Sequence, residues 1–438
     1  MLSKHFGHGF DTGWSPGGTT RLLARAGKGL LALGLALCLT SCSDLLDVDP
    51  DPQTVDGGSI VTLREALVGA QADFFQSFDS FIVWAGLFND EFASSGTAPG
   101  IHAWDRRDVP EDHGGGSART NSIGGGNFVL MQRSVADSDI GQDRVIAGEF
   151  EEIVDEGTNA AEFAQFSTLT GFSKTFIGDL WCTTAFAGTG PLLTSADVYQ
   201  LAEAEFTAAI DAANADPDVR QAALVGRARV RLILGKDGEA LSDAQQVAPD
   251  FEVFTLYSTN SFEQRNRVHF RTWDFANWTV GPDFRDLTID ATGIPDPRVD
   301  LALNPVPAFE PSQDLYAPRK VSTPTTPLRY ASGDEAQYVI AEITGGAAAV
   351  TIINQIRARH GITEVWAPAG GANEIRDKVI DERKRTLFLD GVRQGDVRRY
   401  IDKYGLDFFP TSTPQGFPMG NQTCLPLPEI ERNNNPDI

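Results

Sequence analysis

The chain has 438 residues, 41% of them hydrophobic and 9% aromatic, which is enough apolar material for a large folded core and disfavours disorder. Its 60 acidic and 36 basic residues give a formal net charge of -24. That balance repels phosphate backbones and anionic lipid surfaces, so a nucleic-acid partner is disfavoured, but it names no other partner.

Arg21, Arg25 and Lys28 precede the apolar run Gly29 to Cys38, then Leu39-Thr-Ser-Cys42. A basic stretch, a short apolar run and a small-residue cleavage site describe a secretory signal over residues 1–41. The run is too short to span a membrane, which takes about 20 apolar residues. Leu39-Thr-Ser-Cys42 resembles the bacterial lipobox, which makes Cys42 the lipidation candidate; the plainer alternative is an ordinary cleaved signal with a chance Cys. Residues 42–58 are acidic and punctuated by Pro50 and Pro52, and read as an extended tether. The alternation Asp47, Asp49, Asp51 is not an EF-hand, because prolines interrupt it and no glutamate closes it.

From residue 59 to 438 a single, mostly α-helical domain is expected. Helical patterning predicts Leu63 to Phe88, Phe128 to Phe150, Ala160 to Trp181 and Ala196 to Ala213. The last has Thr194 or Ser195 as cap and Asp197 in its first turn. Val219 to Leu234 and Gly238 to Val247 form a pair with Ala228, Gly235, Ala240 and Ala244 placed as in a tetratricopeptide hairpin. Asp334 to Thr344 and Ala347 to His360 form another, turning at Gly345-Gly346. Two irregular insertions interrupt this scaffold, about 93–126 and 250–330, the second with β-prone pieces such as Val253 to Tyr257. Long insertions on a rigid scaffold are where binding surfaces lie.

Of four cysteines, Cys38 is removed with the signal and Cys42 is consumed by lipid, leaving Cys182 and Cys424. In an oxidising compartment a disulfide between them is the economical inference, with two separate buried thiols as the alternative.

Enzyme signatures are lacking: no His-Glu-x-x-His and no phosphate-binding Gly-x-x-x-x-Gly-Lys occur. The one Gly-x-Ser-x-Gly, Gly13 to Gly17, lies in the signal segment. Of the six histidines, His5 and His8 fall in the signal segment, and no remaining pair has metal-ligand spacing. No enzyme activity, cofactor or metal is therefore expected. Aromatic side chains in the insertions are the better candidates, since sugar C–H faces stack on Trp and Tyr rings. Trp104 in the first insertion and Trp273 and Trp278 in the second are the ligand-binding candidates, each weighed against simple packing.

In the C-terminal third, Leu328-Arg-Tyr-Ala331 and Tyr338-Val-Ile-Ala-Glu342 are followed by Ile353 to Arg359 and by Ile380 to Gly391. Asp396-Val-Arg-Arg399 and Leu425-Pro-Leu-Pro-Glu429 come next. With Asp296-Pro-Arg298 and Thr194 to Tyr199, this order resembles the SusD/RagB family of outer-membrane nutrient-uptake lipoproteins. Where that family often shows Arg-Trp-Phe-Asp-Leu after Glu-Gly, this chain has Val392 to Asp396 after Asp390-Gly391. The resemblance implies a tetratricopeptide-like scaffold, a surface-exposed location anchored in the outer membrane by lipid alone, and a SusC-like TonB-dependent barrel as partner. The ligand it implies is an oligosaccharide or another nutrient. Glu374–Lys378 and Asp381–Arg385 stand as i,i+4 ion pairs, and Ile375, Val379, Ile380, Leu387 and Phe388 as a buried face, so the charges there read as structural. The rival readings are a lipid-anchored tetratricopeptide scaffold that assembles envelope proteins without a small ligand, and a surface glycoside hydrolase.

Overall fold

The structure, a computed structural model, describes residues 62–112, 127–150, 156–186, 189–212, 215–306, 308 and 314–438. The expected signal, Cys42 and the tether lie outside the described residues, as do the Gly-rich strings of 113–126.

Thr62 and Glu65 cap one another: Glu65 N donates to Thr62 Oγ1 at 3.2 Å and Thr62 N to Glu65 Oε2 at 3.0 Å. This starts α1, Leu63–Phe88, over the range its pattern predicts. From Ser77 to Phe88 every residue is buried, so the second half of α1 has no polar face and runs through the core. Against it pack α2 (Pro99–Asp105), α3 (Asn127–Ala147) and α4 (Glu156–Leu180). Rings from these helices interlock, as with Phe78 and Phe176 at 5.2 Å, and Tyr330 closes on Phe172 at 5.1 Å. Helix α2 corrects the expectation of an irregular first insertion: Pro99 occupies its first turn, where a missing N–H costs nothing, and Ile101 and Trp104 face the core.

The hairpin scaffold follows with α5 (Ser195–Asp211), α6 (Pro217–Ile233) and α7 (Asp237–Ala244). Thr194, not Ser195, caps α5, in a reciprocal box with Asp197. Helices α4, α5 and α6 approach closely around Phe206, since a Cβ added at Gly171 or Gly226 would lie 2.6 or 2.3 Å from its ring. Ala228, Ala240 and Ala244 are buried at the α6–α7 seam, and the chain reverses at Gly235 with φ of 72°. A second hairpin, α9 (Gly333–Thr344) and α10 (Gly346–Arg359), turns at Gly345 and Gly346, and α9 packs on α6 and α7. Between the hairpins lies α8 (Arg267–His269), continued by a π-helix over Phe270–Asp274; α11 (Ala372–Thr386), α12 (Arg393–Tyr404) and α13 (Glu429–Asn434) complete the chain.

Among the described residues the strands form four antiparallel pairs. They are β1 (Phe92–Ser94) with β5 (Trp278–Val280), β2 (Thr183–Phe186) with β3 (Thr189–Thr194), β4 (Glu252–Thr255) with β8 (Leu328–Ser332), and β6 (Leu301–Leu303) with β7 (Tyr316–Pro318). The β-prone piece expected at 253–257 thus pairs only as far as Thr255. The β4–β8 ladder brings the two ends of the second insertion together, and β1–β5 fastens its middle to the strand that follows α1.

The C-terminal motifs become a buried ionic ladder. Arg229 of α6 donates twice to Glu335 of α9, both at 2.7 Å. Arg383 of α11 lies 3.6 Å from Glu335 and donates to Asp396 of α12 at 2.6 Å. Arg399 links Asp396, at 3.1 Å, to Glu342 at 2.9 Å. Burial alone would raise the carboxyl of Asp396, but Arg383 and Arg399 more than offset that and hold it below its usual range. A second group joins Arg298 to Asp296 at 2.6 Å and to Glu382 at 2.5 Å. The Asp381–Arg385 pair forms at 3.0 Å, but Glu374–Lys378 does not. Lys378 turns to buried Glu382 at 2.7 Å and to exposed Asp290 at 2.6 Å, while Glu374 accepts from the Ala369 backbone N at 3.1 Å.

Cys182 and Cys424 form a disulfide with Cα atoms 5.2 Å apart, joining the end of α4 to the tail. Backbone bonds flank it: Cys182 N donates to Leu425 O at 2.9 Å and Leu425 N to Leu180 O at 2.7 Å.

Three stability outcomes follow from this packing. Arg229→Met removes both short bonds to buried Glu335, leaving only Arg383 at 3.6 Å, and is expected to cost about 3 kcal/mol in urea unfolding. Cys424→Ala is expected to cost about 2–4 kcal/mol, read as a lowered unfolding midpoint under non-reducing conditions. Burial pushes the carboxyl of Asp179 up to about 7, with Tyr199 Oη donating to it at 2.7 Å. A folded-state value above the unfolded one means that this group's contribution weakens as pH rises from about 4 to 7. Asp179→Asn should therefore gain stability relative to the parent at pH 8 compared with pH 5.

Candidate functional site

The best-equipped site lies where α1, α3 and the second insertion meet. Gln76, Ser80 and Trp84 recur every four residues along α1 and so share one face. Leu130 and Arg133 come from α3, while Phe262, Arg267 and Arg271 close the site from the insertion; together they line a pocket of about 320 Å³. A neighbouring hollow of about 380 Å³ shares Gln76 and Glu263 with it and adds Asp73, Tyr257 and Asn260. The two therefore adjoin along α1.

Local folding explains how the arginines converge. Asn266 Oδ1 accepts from His269 N at 3.1 Å and starts α8. The π-helix that continues it is closed by Phe275 N donating to Phe270 O at 2.8 Å. Arg267 N donates to Asp79 Oδ2 at 2.8 Å, which fixes the start of this turn on α1. Asp79 is fully buried, and burial pushes its carboxyl up to about 7 despite the nearby Arg267 guanidinium.

The three arginines differ in their surroundings. Arg133 pairs with Asp73 and donates to Gln76 Oε1 at 2.9 Å. Arg267 Nε is 3.5 Å from Asp79 Oδ1. Arg271, only 7% exposed, has no carboxylate within ion-pair distance among the described residues. Its guanidinium instead lies 4.5 Å from the centre of the Trp278 ring, with Phe270 at 5.5 Å and Trp84 at 5.9 Å. Burial, and then the neighbouring Arg267 charge, lower its pKa to about 10, so it is still a cation at neutral pH.

Beside the pocket the aromatics continue outwards. Phe262 meets Phe270 edge-on at 4.9 Å, and Phe270 stacks on Phe275 at 5.5 Å. Phe262 and Phe275 are 45% and 44% exposed, which makes them apolar platforms at the surface rather than core.

The structure brings two of the three tryptophan candidates together, but as packing. Trp104 and Trp278 sit 4.9 and 5.2 Å from Trp84, both without exposed surface, and Trp278 Nε1 donates to Val83 O at 3.3 Å. Trp84 is the member of this cluster that lines the pocket. Trp273 is half-buried, and its Nε1 donates to Pro318 O at 3.3 Å on β7. The residues that sequence reasoning missed are Arg267, Arg271, Phe262 and Phe275. Their signal was present as an i,i+4 arginine pair among phenylalanines in an otherwise acidic chain.

A larger cleft of about 650 Å³ is lined by Asp286, Asp296 and Asp300, but two of these already hold cations: Asp296 binds Arg298 at 2.6 Å and Asp300 binds Arg319 at 3.3 Å. Among the described residues no group of three His, Cys, Asp or Glu is placed to hold a metal, and no helix is long and apolar enough to cross a membrane.

The SusD family model matches residues 329–437, the segment that carries most of the ionic ladder. No curated protein sequence matches the chain. Solved structures with the same fold include a SusD superfamily protein from Bacteroides vulgatus, 14% identical with a TM-score of 0.67, covering 84% of this chain and 96% of that one. Surface glycan-binding protein A from Bacteroides uniformis is 15% identical, with a TM-score of 0.62 and coverage of 86% and 98%. Surface glycan-binding protein A from Bacteroides thetaiotaomicron, in complex with laminarihexaose, is 13% identical, with a TM-score of 0.62 and coverage of 85% and 97%. Residues 329–437 thus match the SusD family, and the mostly helical fold of the chain is similar to that of solved SusD superfamily proteins.

Proposed function

We propose that this chain is a surface lipoprotein that binds an oligosaccharide and delivers it to a SusC-like TonB-dependent barrel in the outer membrane. In this reading residues 1–41 are a secretory signal, Cys42 carries the lipid and 42–58 form the tether. The single observation that carries the binding role is the coincidence, in one cleft, of exposed Phe262 with the donors of Arg133, Arg267 and Arg271, with exposed Phe275 beside it. Sugars need both kinds of group: apolar ring faces for their C–H surfaces and fixed donors for their oxygens. The glycan-binding relatives of the same fold support this assignment. Trp273, two residues beyond Arg271 and half-buried, is retained as a contact for ligand extending past the pocket, while Trp104 and Trp278 act through packing behind Trp84.

Catalysis is given no part in this reading, and cofactors none. The tetratricopeptide-like hairpins keep the assembly-scaffold reading as the alternative, since stacked hairpins also suit protein partners.

Purification of the native protein from detergent-solubilised outer membranes, with its companions identified by mass spectrometry, separates the two. A TonB-dependent barrel in near-equal amount is the expected result. Recovery of other envelope proteins without a barrel would transfer the assignment to the scaffold.

A further inference from the structure

We infer that the oligosaccharide taken by this cleft is anionic, carrying a carboxylate or a sulfate ester that the Arg271 guanidinium receives at the floor of the pocket. This rests on the oligosaccharide-binding reading above and narrows it.

The fold gives its other buried arginines fixed partners. Arg229, Arg298, Arg357, Arg383, Arg393 and Arg399 are all buried, and each has a carboxylate partner; Arg393 donates to both oxygens of Asp90 at 2.6 Å, while buried Arg107 donates instead to the carbonyls of Gln422 at 3.1 Å and Pro410 at 3.0 Å. That is the usual condition for a charge in a protein interior, because removing it from water is costly unless an opposite charge compensates. Arg271 is the departure. It is 7% exposed, no carboxylate or hydrogen-bond acceptor among the described residues pairs with its side chain, and none of its nitrogens is sealed from solvent, so its donors stay reachable from the pocket. Aromatic rings lie against it, and rings compensate a cation only in part.

Its surroundings add to the imbalance. Arg267 shares the pocket, and the Asp79 carboxyl beneath Arg267 is itself weakened as an anion by burial. Arg133 is the third arginine of the lining, already held by Asp73. The one acidic side chain of the lining, Glu263, belongs to the exposed rim. In a chain of net charge -24, an enclosed site with three guanidinium groups runs against the overall field. A planar guanidinium offers paired N–H donors that match the two oxygens of a carboxylate or two of a sulfate, giving short charge-assisted bonds. A neutral sugar hydroxyl would leave the charge uncompensated. The exposed Phe262 and Phe275 then take the ring faces of the same ligand.

Removing charge from the ligand tests this without altering the fold. The full chain would be titrated by calorimetry with polygalacturonate, alginate, heparin and chondroitin sulfate fragments, and with neutral laminarin, xylan and maltodextrin fragments. Expected is binding of at least one acidic series, weakened about tenfold or more by carboxyl reduction of the uronates or by desulfation of the sulfate esters. Which treatment abolishes binding identifies the anion. Arg271→Gln should reproduce the loss and Arg271→Lys should restore part of it, since the lysine keeps the charge but not the fork. Tighter binding of a neutral series, unchanged in Arg271→Gln, would overturn the anionic assignment and leave the glycan-binding role standing. Binding of no series, acidic or neutral, would overturn both, whereas co-purification of a barrel would still separate uptake from scaffolding.

Discussion

The buried ladder of guanidinium and carboxylate groups is the constraint on which the rest of this structure depends. From Arg229 through Glu335, Arg383, Asp396 and Arg399 to Glu342 it crosses four helices, α6, α9, α11 and α12. Each charge is costly to bury, and only partners at fixed positions offset that cost. A different register of α11 against α9 would leave Arg383 or Glu335 uncompensated. Apolar packing alone tolerates sliding far better, because one buried methyl group substitutes for another. The ladder thus works as a register lock between the hairpin scaffold and the C-terminal helices.

That lock extends towards the cleft. Arg393 of α12 holds Asp90, two residues past the end of α1, and Glu91 accepts from Leu389 N at 2.8 Å. Gly281, at the end of β5, comes so near this turn that an added Cβ would lie 2.0 Å from Asp90 O. The end of α1, the C-terminal block and the second insertion are therefore fixed to one another by close contact. Trp84 sits one turn before the end of α1, with Trp278 at 5.2 Å, so the floor of the pocket inherits this rigidity. Its rim does not: Phe262 and Phe275 are carried on the insertion with large exposed faces. A rigid floor with an adaptable rim suits a ligand held firmly at one residue and loosely along its length.

The contrast between Arg271 and the other buried arginines gives the cleft its meaning. Where a guanidinium and its carboxylate come from neighbouring helices, the charge is spent on structure. Arg271 comes from a π-helical turn, which rotates successive side chains differently from an α-helix and directs this one among rings.

Much of the architecture was legible from residues alone. Apolar spacing gave α1 its limits, Thr194 and Asp197 marked the start of α5, and Gly345-Gly346 marked a turn, because helix periodicity, caps and positive-φ glycines are local properties. The Cys182–Cys424 pairing was accessible for a simpler reason, that two cysteines remained once the signal and lipid candidates were set aside. What residues alone left open is which charged and aromatic groups face each other. Glu374 and Lys378 had ideal spacing yet separate, since Asp290 and Glu382 offer Lys378 nearer carboxylates. Trp104 and Trp278 had the right chemistry for a sugar but are buried against Trp84, and Arg271 gained its significance only from the partners it lacks. Burial and ion pairing are decided by segments far apart in the chain, so the sequence determined the scaffold and the kinds of side chain on it, while only the tertiary structure decided which of them reach the cleft.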